Sequence, residues 1–396
     1  MKIVKPETQG FSSERINRIN AVIQRYVSEK KIAGVVSLIA RHGDIVHFEK
    51  AGMADIETGK PMLLDSIFRI YSMSKPITST AVMMLFEEGK FQLTDPISRY
   101  IPAFKEAKVL DNTSGSGVQY IKPVREVSIH DLLTHTAGLS YGFDENVYID
   151  ELYRKKLWAL VEKNPDVTLQ ACIEKVSKLP LAFQPGTMFR YSFATDVLGY
   201  LVQVVSGMPF DEFLRSRIFE PLHMEDTDFY VPPEKVLRFT SVYGPDEKAG
   251  LKVSDPFDTS RYLRPTHNPS GGGGLLSTTS DYFQFSQMLL NKGELNGTRL
   301  LGRKTVEWMT SNHLPDGVNL DTSSGFGLGF SVLLDLGKSP MLGSVGNYGW
   351  SGAANTNFWI DPQEELIGIL MLQFMPSDTY PIVPDFRNLT YQALIA

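Results

Sequence analysis

The sequence predicts an α+β fold in which one antiparallel sheet is assembled from both ends of the chain and a mainly helical segment is inserted between them. Two observations carry this. Short apolar runs bounded by Gly or Pro gather at residues 34–52 and again at 325–373, and between them apolar residues recur at the three-and-four spacing of helices. The predicted division is a discontinuous sheet domain, residues 1–75 and 275–396, and a mainly helical domain with long loops, residues 76–274. No internal repeat or low-complexity tract interrupts the pattern.

The elements follow in order. Ser12 and Ser13 precede Ile16, Ile19, Val22, Ile23, Tyr26 and Val27, a capped amphipathic helix ending near Lys31. Residues 34–41 are β-branched and apolar, and His42-Gly43-Asp44 turns the chain into a second strand at 45–52. Helical patterns then occupy 76–88, 129–135, 168–179, 194–206, 210–219 and 279–292. Two connections are long, 111–122 and 246–274, as expected of walls or lids around a site. Strand signals return at 325–334, 344–350, 354–360 and 366–373, with Asp361-Pro362-Gln363-Glu364-Glu365 as the hairpin loop between the last two.

Composition removes several classes of function. The 396 residues are 42% hydrophobic and 21% charged, which excludes a disordered or collagen-like chain and gives a core that needs neither disulfide nor structural metal. Cys172 is the single cysteine, so no intrachain disulfide and no thiolate cluster can form. A net charge of −6 offers no basic footprint, so neither nucleic acid nor an anionic membrane is an expected partner. The opening Met1–Glu7 lacks the apolar core of a signal peptide, and no run approaches ~20 apolar residues. A soluble, cytoplasmic protein is the expectation, with homo-oligomerisation left open.

The richest chemistry lies in Phe68-Arg69-Ile70-Tyr71-Ser72-Met73-Ser74-Lys75-Pro76, where an extended stretch gives way to a helix. A spacing of three puts the Ser72 hydroxyl and the Lys75 amine on one helical face. A serine hydroxyl becomes a useful nucleophile when a neighbour takes its proton, and a lysine with a lowered pKa can do so. The helix N-terminus adds free N–H groups that favour a developing oxyanion. Pro76 is tolerated in a first turn, which places the helix start at about Ser72. Taken alone, the pair also reads as a helix cap and a solvated lysine.

Two further segments add to it. In Pro185-Gly186-Thr187-Met188-Phe189-Arg190-Tyr191-Ser192-Phe193, a turn leads into Tyr191, a phenol able to exchange protons with a nearby lysine. In Tyr348-Gly349-Trp350-Ser351-Gly352-Ala353, glycine punctuates a strand, which often marks the close approach of a ligand or another backbone. Gly271–Gly274 lacks a Walker lysine and a G-x-G-x-x-G frame, so it is no phosphate cradle. The pairs His42/His47 and His130/His135 are five apart, not the four of a metal-binding helix face; no metal or cofactor is expected, and His135 reads as a hydrogen-bonded structural residue. Around Ser351 the last glycine of a Gly-x-Ser-x-Gly elbow is replaced by Ala353, which excludes an α/β-hydrolase.

In order and spacing these segments resemble the serine β-lactamase and penicillin-binding-protein superfamily, most closely its class C-like branch that includes the family VIII carboxylesterases. The likeness runs over nearly the whole chain and includes Leu132-Leu133-Thr134-His135-Thr136-Ala137-Gly138-Leu139 and Gly272-Gly273-Gly274-Leu275-Leu276-Ser277-Thr278-Thr279-Ser280-Asp281. It implies a β-lactamase/transpeptidase-like fold, a sheet flanked by helices from both termini and an inserted helical domain, with the active site between the two. It also implies Ser72 as nucleophile, Lys75 as its proton partner, Tyr191 as general base and acid, and an oxyanion hole made by the N–H groups of Ser72 and Ala353.

The chain departs from the β-lactamase pattern at two positions. Phe193 stands where class C enzymes have the asparagine of Tyr-x-Asn, and Trp350 where they have the lysine of Lys-Thr-Gly. Contacts to an antibiotic's amide and carboxylate are thereby lost, each worth ~1.5–3 kcal/mol when charged. With Ser351 and Gly352, these aromatic residues are expected to line a pocket for a neutral small-molecule ester. The expected activity is carboxylester hydrolysis of short-chain acyl esters. β-Lactamase or D-alanyl-D-alanine carboxypeptidase-like amide hydrolysis, acyl transfer on the same site, and a catalytically silent binding or assembly module are the alternatives.

Overall fold

The computed structural model describes residues 2–111, 118–247 and 250–396. Helix α1 (Ser13–Ser28) opens the fold. Its cap is the expected one, with the Ser12 side chain accepting a hydrogen bond from Arg15 N–H, and it buries Ile16, Ile19, Ile23 and Tyr26 along one stripe. Strands β1 (Gly34–Arg41), β2 (Asp44–Asp55) and the short β3 (Lys60–Pro61) follow. Helix α2 (Ser74–Glu87) is buried over most of its length, α3 (Ile129–Leu133) carries a Ser128/Asp131 capping box, and α4 spans Ala194–Ser206, the boundaries its sequence pattern predicts. Helix α5 (Thr279–Leu290) leads back toward the sheet.

The late strands are β4 (Ser324–Phe326), β5 (Ser331–Leu333), β6 (Tyr348–Ser351), β7 (Asn357–Asp361) and β8 (Leu366–Leu372), followed by helix α6 (Ile382–Gln392). Among the described residues they join the early strands in one eight-stranded sheet, ordered β4-β5-β6-β7-β8-β1-β2-β3, with every neighbour antiparallel. The junction of the chain's two ends is β1 against β8, in register from Val35 opposite Leu372 to Arg41 opposite Leu366. Strand β8 is buried at every position because both sheet faces are covered, so it reads as a continuous apolar run rather than an alternating one. Helices α1 and α6 pack on one face around Trp359, Leu370 and Phe386, while α5 packs on the other against Leu38, Phe358 and Ile369, and α2 packs chiefly on α4.

The fold is the predicted one, with local differences. The expected strand 325–334 is two strands joined by a turn, and 210–219 is an α-turn (Phe210–Leu214) continued by a π-turn (Arg215–Phe219). The long connection at 111–122 includes residues 112–117, which lie outside the described residues; its flanks, Val109–Asp111 and Gln119–Ile121, pair as a hairpin. Within 246–274, where residues 248 and 249 are likewise outside, Gly250–Asp255 pairs with Val242–Asp246 instead of forming a loop. No described helix is long and apolar enough to cross a membrane.

Candidate active site

Ser72 sits where the chain changes direction. Tyr71 has φ +43°, a left-handed conformation that a side-chain-bearing residue keeps only when its surroundings enforce it. Ile70 N–H donates to Leu275 O at 3.1 Å and Met73 N–H to Ile70 O at 3.0 Å. The Ser74 hydroxyl donates to Tyr71 O at 2.6 Å, and the Tyr282 hydroxyl to Met73 O at 2.9 Å. Residues Tyr71–Met73 therefore form a 3-10 turn, and α2 starts at Ser74 rather than at the predicted Ser72. Pro76 still falls in the first turn, where its missing N–H leaves no bond unmade.

One turn on, the Lys75 amino group donates to Ser72 Oγ at 3.1 Å and to Gly272 O at 2.5 Å. It is 1% exposed and lies over two aromatic faces, 4.4 Å from the Tyr191 ring centre and 5.1 Å from that of Tyr141. The glycine run thus hands a carbonyl to Lys75. Gly272 is fixed in turn by Asp196 on α4, whose carboxylate accepts from Gly272 N–H at 3.2 Å, from the Tyr141 hydroxyl at 3.5 Å, and from Ser270. A Cβ at position 272 would stand 2.4 Å from Asp196 Oδ2 and 2.6 Å from the Tyr141 oxygen, so only glycine fits. Burial pushes the Asp196 carboxyl above its ordinary range, against the pull of Ser270 and the nearby Lys75.

Tyr191 arrives from the helical side. Arg190, just before it, forks onto Ser140 Oγ at 2.9 Å and Asp150 Oδ1 at 2.7 Å. The Tyr191 hydroxyl accepts a hydrogen bond from Trp350 Nε1 at 3.2 Å, so two predicted residues far apart in the sequence meet directly. His135 packs 4.9 Å from the Tyr191 ring centre and its Nδ1 lies 3.2 Å from Ser192 Oγ. Burial, with the charge of Lys75 adding to it, holds the imidazole well below its usual pKa, in keeping with a structural histidine.

The segment after β6 comes close to the Ser72 turn. Gly352 N–H donates to Thr356 O at 2.7 Å, and a Cβ on Gly352 would meet Ile70 O at 2.4 Å, so this turn lies against the peptide leading into Tyr71. Neither the Ser72 nor the Ala353 N–H has an acceptor among the described residues. Ser351 is exposed, paired across the sheet with Asn357. Trp350 contacts Tyr191 and Phe326, whereas Phe193 packs among Tyr141, Tyr153 and Trp158, with Tyr141 between it and Tyr191. Sequence reasoning missed Tyr141, Asp196 and the Gly272 carbonyl. The one signal was the glycine run itself, whose lack of a phosphate motif leaves close backbone approach as its use.

Comparison with known proteins identifies the family. The Beta-lactamase family model matches residues 19–392. The chain is 36% identical over 358 residues to Protein Rv1367c of Mycobacterium tuberculosis, covering 87% of this chain and 86% of that one. It is 30% identical over 363 residues to Esterase EstB of Burkholderia gladioli, covering 87% of this chain and 86% of EstB. Among solved structures, "EstCE1, a hydrolase with promiscuous acyltransferase activity" superposes with a TM-score of 0.82 at 26% identity, over 96% of this chain and 99% of EstCE1. With the fold matched almost end to end and the serine–lysine turn set against a glycine-bearing strand, the chain belongs to the beta-lactamase family.

Proposed function

We propose that the protein is a serine carboxylesterase that hydrolyses short-chain acyl esters through an acyl-enzyme on Ser72. The observation that carries this reading is the Lys75 amine set between Ser72 Oγ, at 3.1 Å, and the Tyr191 ring, at 4.4 Å, in a site shielded from water. Lys75 takes the Ser72 proton as Oγ attacks the ester carbonyl. The N–H groups of Ser72 and Ala353, without acceptors of their own, are the donors for the oxyanion. The Lys75/Tyr191 pair returns the proton to the departing alcohol. Water activated by Tyr191 then releases the acid, and another alcohol in its place makes the same site an acyltransferase.

Ester rather than lactam chemistry is supported by aromatic residues at positions 193 and 350 and by the name of EstB. The cleft between the sheet unit (1–75 and 275–396) and the helical unit (76–274) is the substrate's place in this reading. A fluorophosphonate probe followed by intact mass and peptide mapping tests the nucleophile. One adduct is expected on the peptide carrying Tyr71–Pro76, absent in Ser72→Ala; an adduct elsewhere removes the proposal. Turnover of p-nitrophenyl butyrate beside a chromogenic cephalosporin tests the substrate class, and selective cephalosporin hydrolysis would overturn it.

A further inference from the structure

A cavity of about 390 Å³ opens on the α6 face of the sheet, within the usual range for small-molecule sites. Ser72, Lys75 and Tyr191 take no part in its walls, although Trp350, whose ring meets Tyr191, borders it. Strand β6 and Trp359 form one wall, Leu333 and Met341 line another part, and Arg387 of α6 reaches in beside them. Asn347, in the turn before β6, is 4% exposed, and its Nδ2 has no hydrogen-bond partner. Arg387 donates from Nε to Leu342 O at 3.0 Å and lies 5.4 Å from the Trp359 ring centre, but no carboxylate forms an ion pair with it among the described residues. Burial lowers the guanidinium pKa, partly offset by Tyr391 and by Asp361, whose Oδ2 accepts from the Tyr391 hydroxyl at 2.7 Å.

The two donors face one space. A Cβ on Gly343 would stand 2.5 Å from Asn347 Nδ2 and 2.9 Å from Arg387 Nη2, so glycine keeps the gap between them clear. Their surroundings are fixed in advance: Leu342 N–H donates to Asn388 Oδ1 at 2.8 Å, and Gly346 N–H to Leu333 O at 2.8 Å. Among the described residues, the one carboxylate in the walls is Asp321, whose Oδ1 accepts from the Ser323 and Ser324 N–H groups at 2.7 and 2.9 Å. A partly buried cation and an orphaned amide N–H, converging beside aromatic and aliphatic surface, are complementary to an anion that carries an apolar body. We infer that this cavity is a binding site for a small amphipathic monocarboxylate, its carboxylate bridging Arg387 and Asn347 and its apolar part lying against Met341 and Leu333. Binding there needs no chemistry at Ser72.

Calorimetry of octanoate, octanamide and inorganic phosphate against wild type, Arg387→Met and Asn347→Asp tests this. Octanoate is expected to bind wild type one-to-one with Kd below about 1 mM, and octanamide and phosphate at least tenfold more weakly. Arg387→Met, which keeps an apolar stem over Trp359, is expected to weaken octanoate at least tenfold and to change octanamide less than threefold. Asn347→Asp sets a carboxylate beside Arg387 in the ligand's stead, so octanoate binding is expected to vanish and the thermal midpoint to rise. No heat of binding at ten times that concentration, octanoate no tighter than octanamide, or octanoate affinity unchanged in both variants overturns the inference. Phosphate binding as tightly as octanoate also overturns it, leaving an adventitious ion only. If Arg387→Met fails to fold, Asn347→Asp decides alone: octanoate affinity kept in that variant refutes the site.

Discussion

In the proposed mechanism lysine at position 75 is needed for a reason that its charge alone does not supply. Arginine there would fill the space and keep a cation, but a guanidinium does not give up its proton near neutrality. Lys75→Arg and Lys75→Ala are therefore both expected to lower kcat by about 10²–10⁴-fold, the usual worth of a general base, measured on p-nitrophenyl butyrate at constant protein fold by circular dichroism. Trp350→Phe keeps the ring beside Tyr191 but removes the 3.2 Å hydrogen bond to its hydroxyl; at about 0.5–1.5 kcal/mol, kcat falls about 2–10-fold with KM little changed. The serine–lysine pair is legible in the sequence because the contact is local, three residues along one turn. Asp196 and Gly272 are not, since packing alone brings them to Lys75 from other segments of the chain. A buried histidine away from the cleft gives a separate forecast. His47, hydrogen-bonded to Ser37 at 2.8 Å, has its pKa brought down by burial from 6.5 to about 4. Above pH 6.5 neither folded nor unfolded chain is protonated there. As pH falls toward 4 the unfolded chain takes the proton first, and stability drops by up to about 3 kcal/mol. The difference in urea midpoint between wild type and His47→Gln is expected to shift in the variant's favour across that window; parallel pH profiles would exclude the effect.

Elements position the site where single side chains cannot. Gly272→Ala would push the glycine segment off Asp196 and Tyr141, so its carbonyl would no longer meet Lys75. Activity is expected to fall at least tenfold with thermal midpoint lowered, whereas Gly337→Ala, whose Cβ would make only an ordinary 3.4 Å contact with Asp335 Oδ1, serves as the control for a substitution without a clash. Gly368 on β8 lies under the Trp359 ring, 2.2 Å from a Cβ placed there, so Gly368→Ala is expected to cost about 1–3 kcal/mol by urea denaturation without changing kcat. The elements best read from sequence are those whose own periodicity decides them, such as α4 and β1. Helix α6 is expected from the family resemblance but not from its own residue pattern, which Pro384 and Asn388 weaken; the proline is harmless in the first turn, and Ile382 and Phe386 hold the helix on the sheet. The hairpin strand Gly250–Asp255 was hidden for the opposite reason. It is half exposed and mostly polar, and its place is set from outside, by Arg69 Nε at 2.7 Å from Asp255 Oδ2.

At the scale of the molecule, α6 and the last residues lock the two ends together. Arg41 donates to Gln9 O at 3.0 Å, Ala396 O at 2.6 Å and Glu364 O at 2.9 Å, tying the first segment, the β7–β8 hairpin and the end of the chain in one fork. Ending the chain at residue 381 would uncover Trp359 and Leu370 and forfeit the burial of Ile382 and Phe386, each worth about 1.5–3 kcal/mol. Strong binding of an apolar dye and loss of the cooperative melt are expected. The same arrangement governs the protein's birth. During translation β1 emerges long before β8, the strand that must lie beside it. Between the two, the nascent chain carries an apolar strand with an open edge, waiting for a partner not yet made. Such an edge invites pairing with neighbouring chains. Keeping that edge shielded until β8 arrives is thus a condition of reaching the native state.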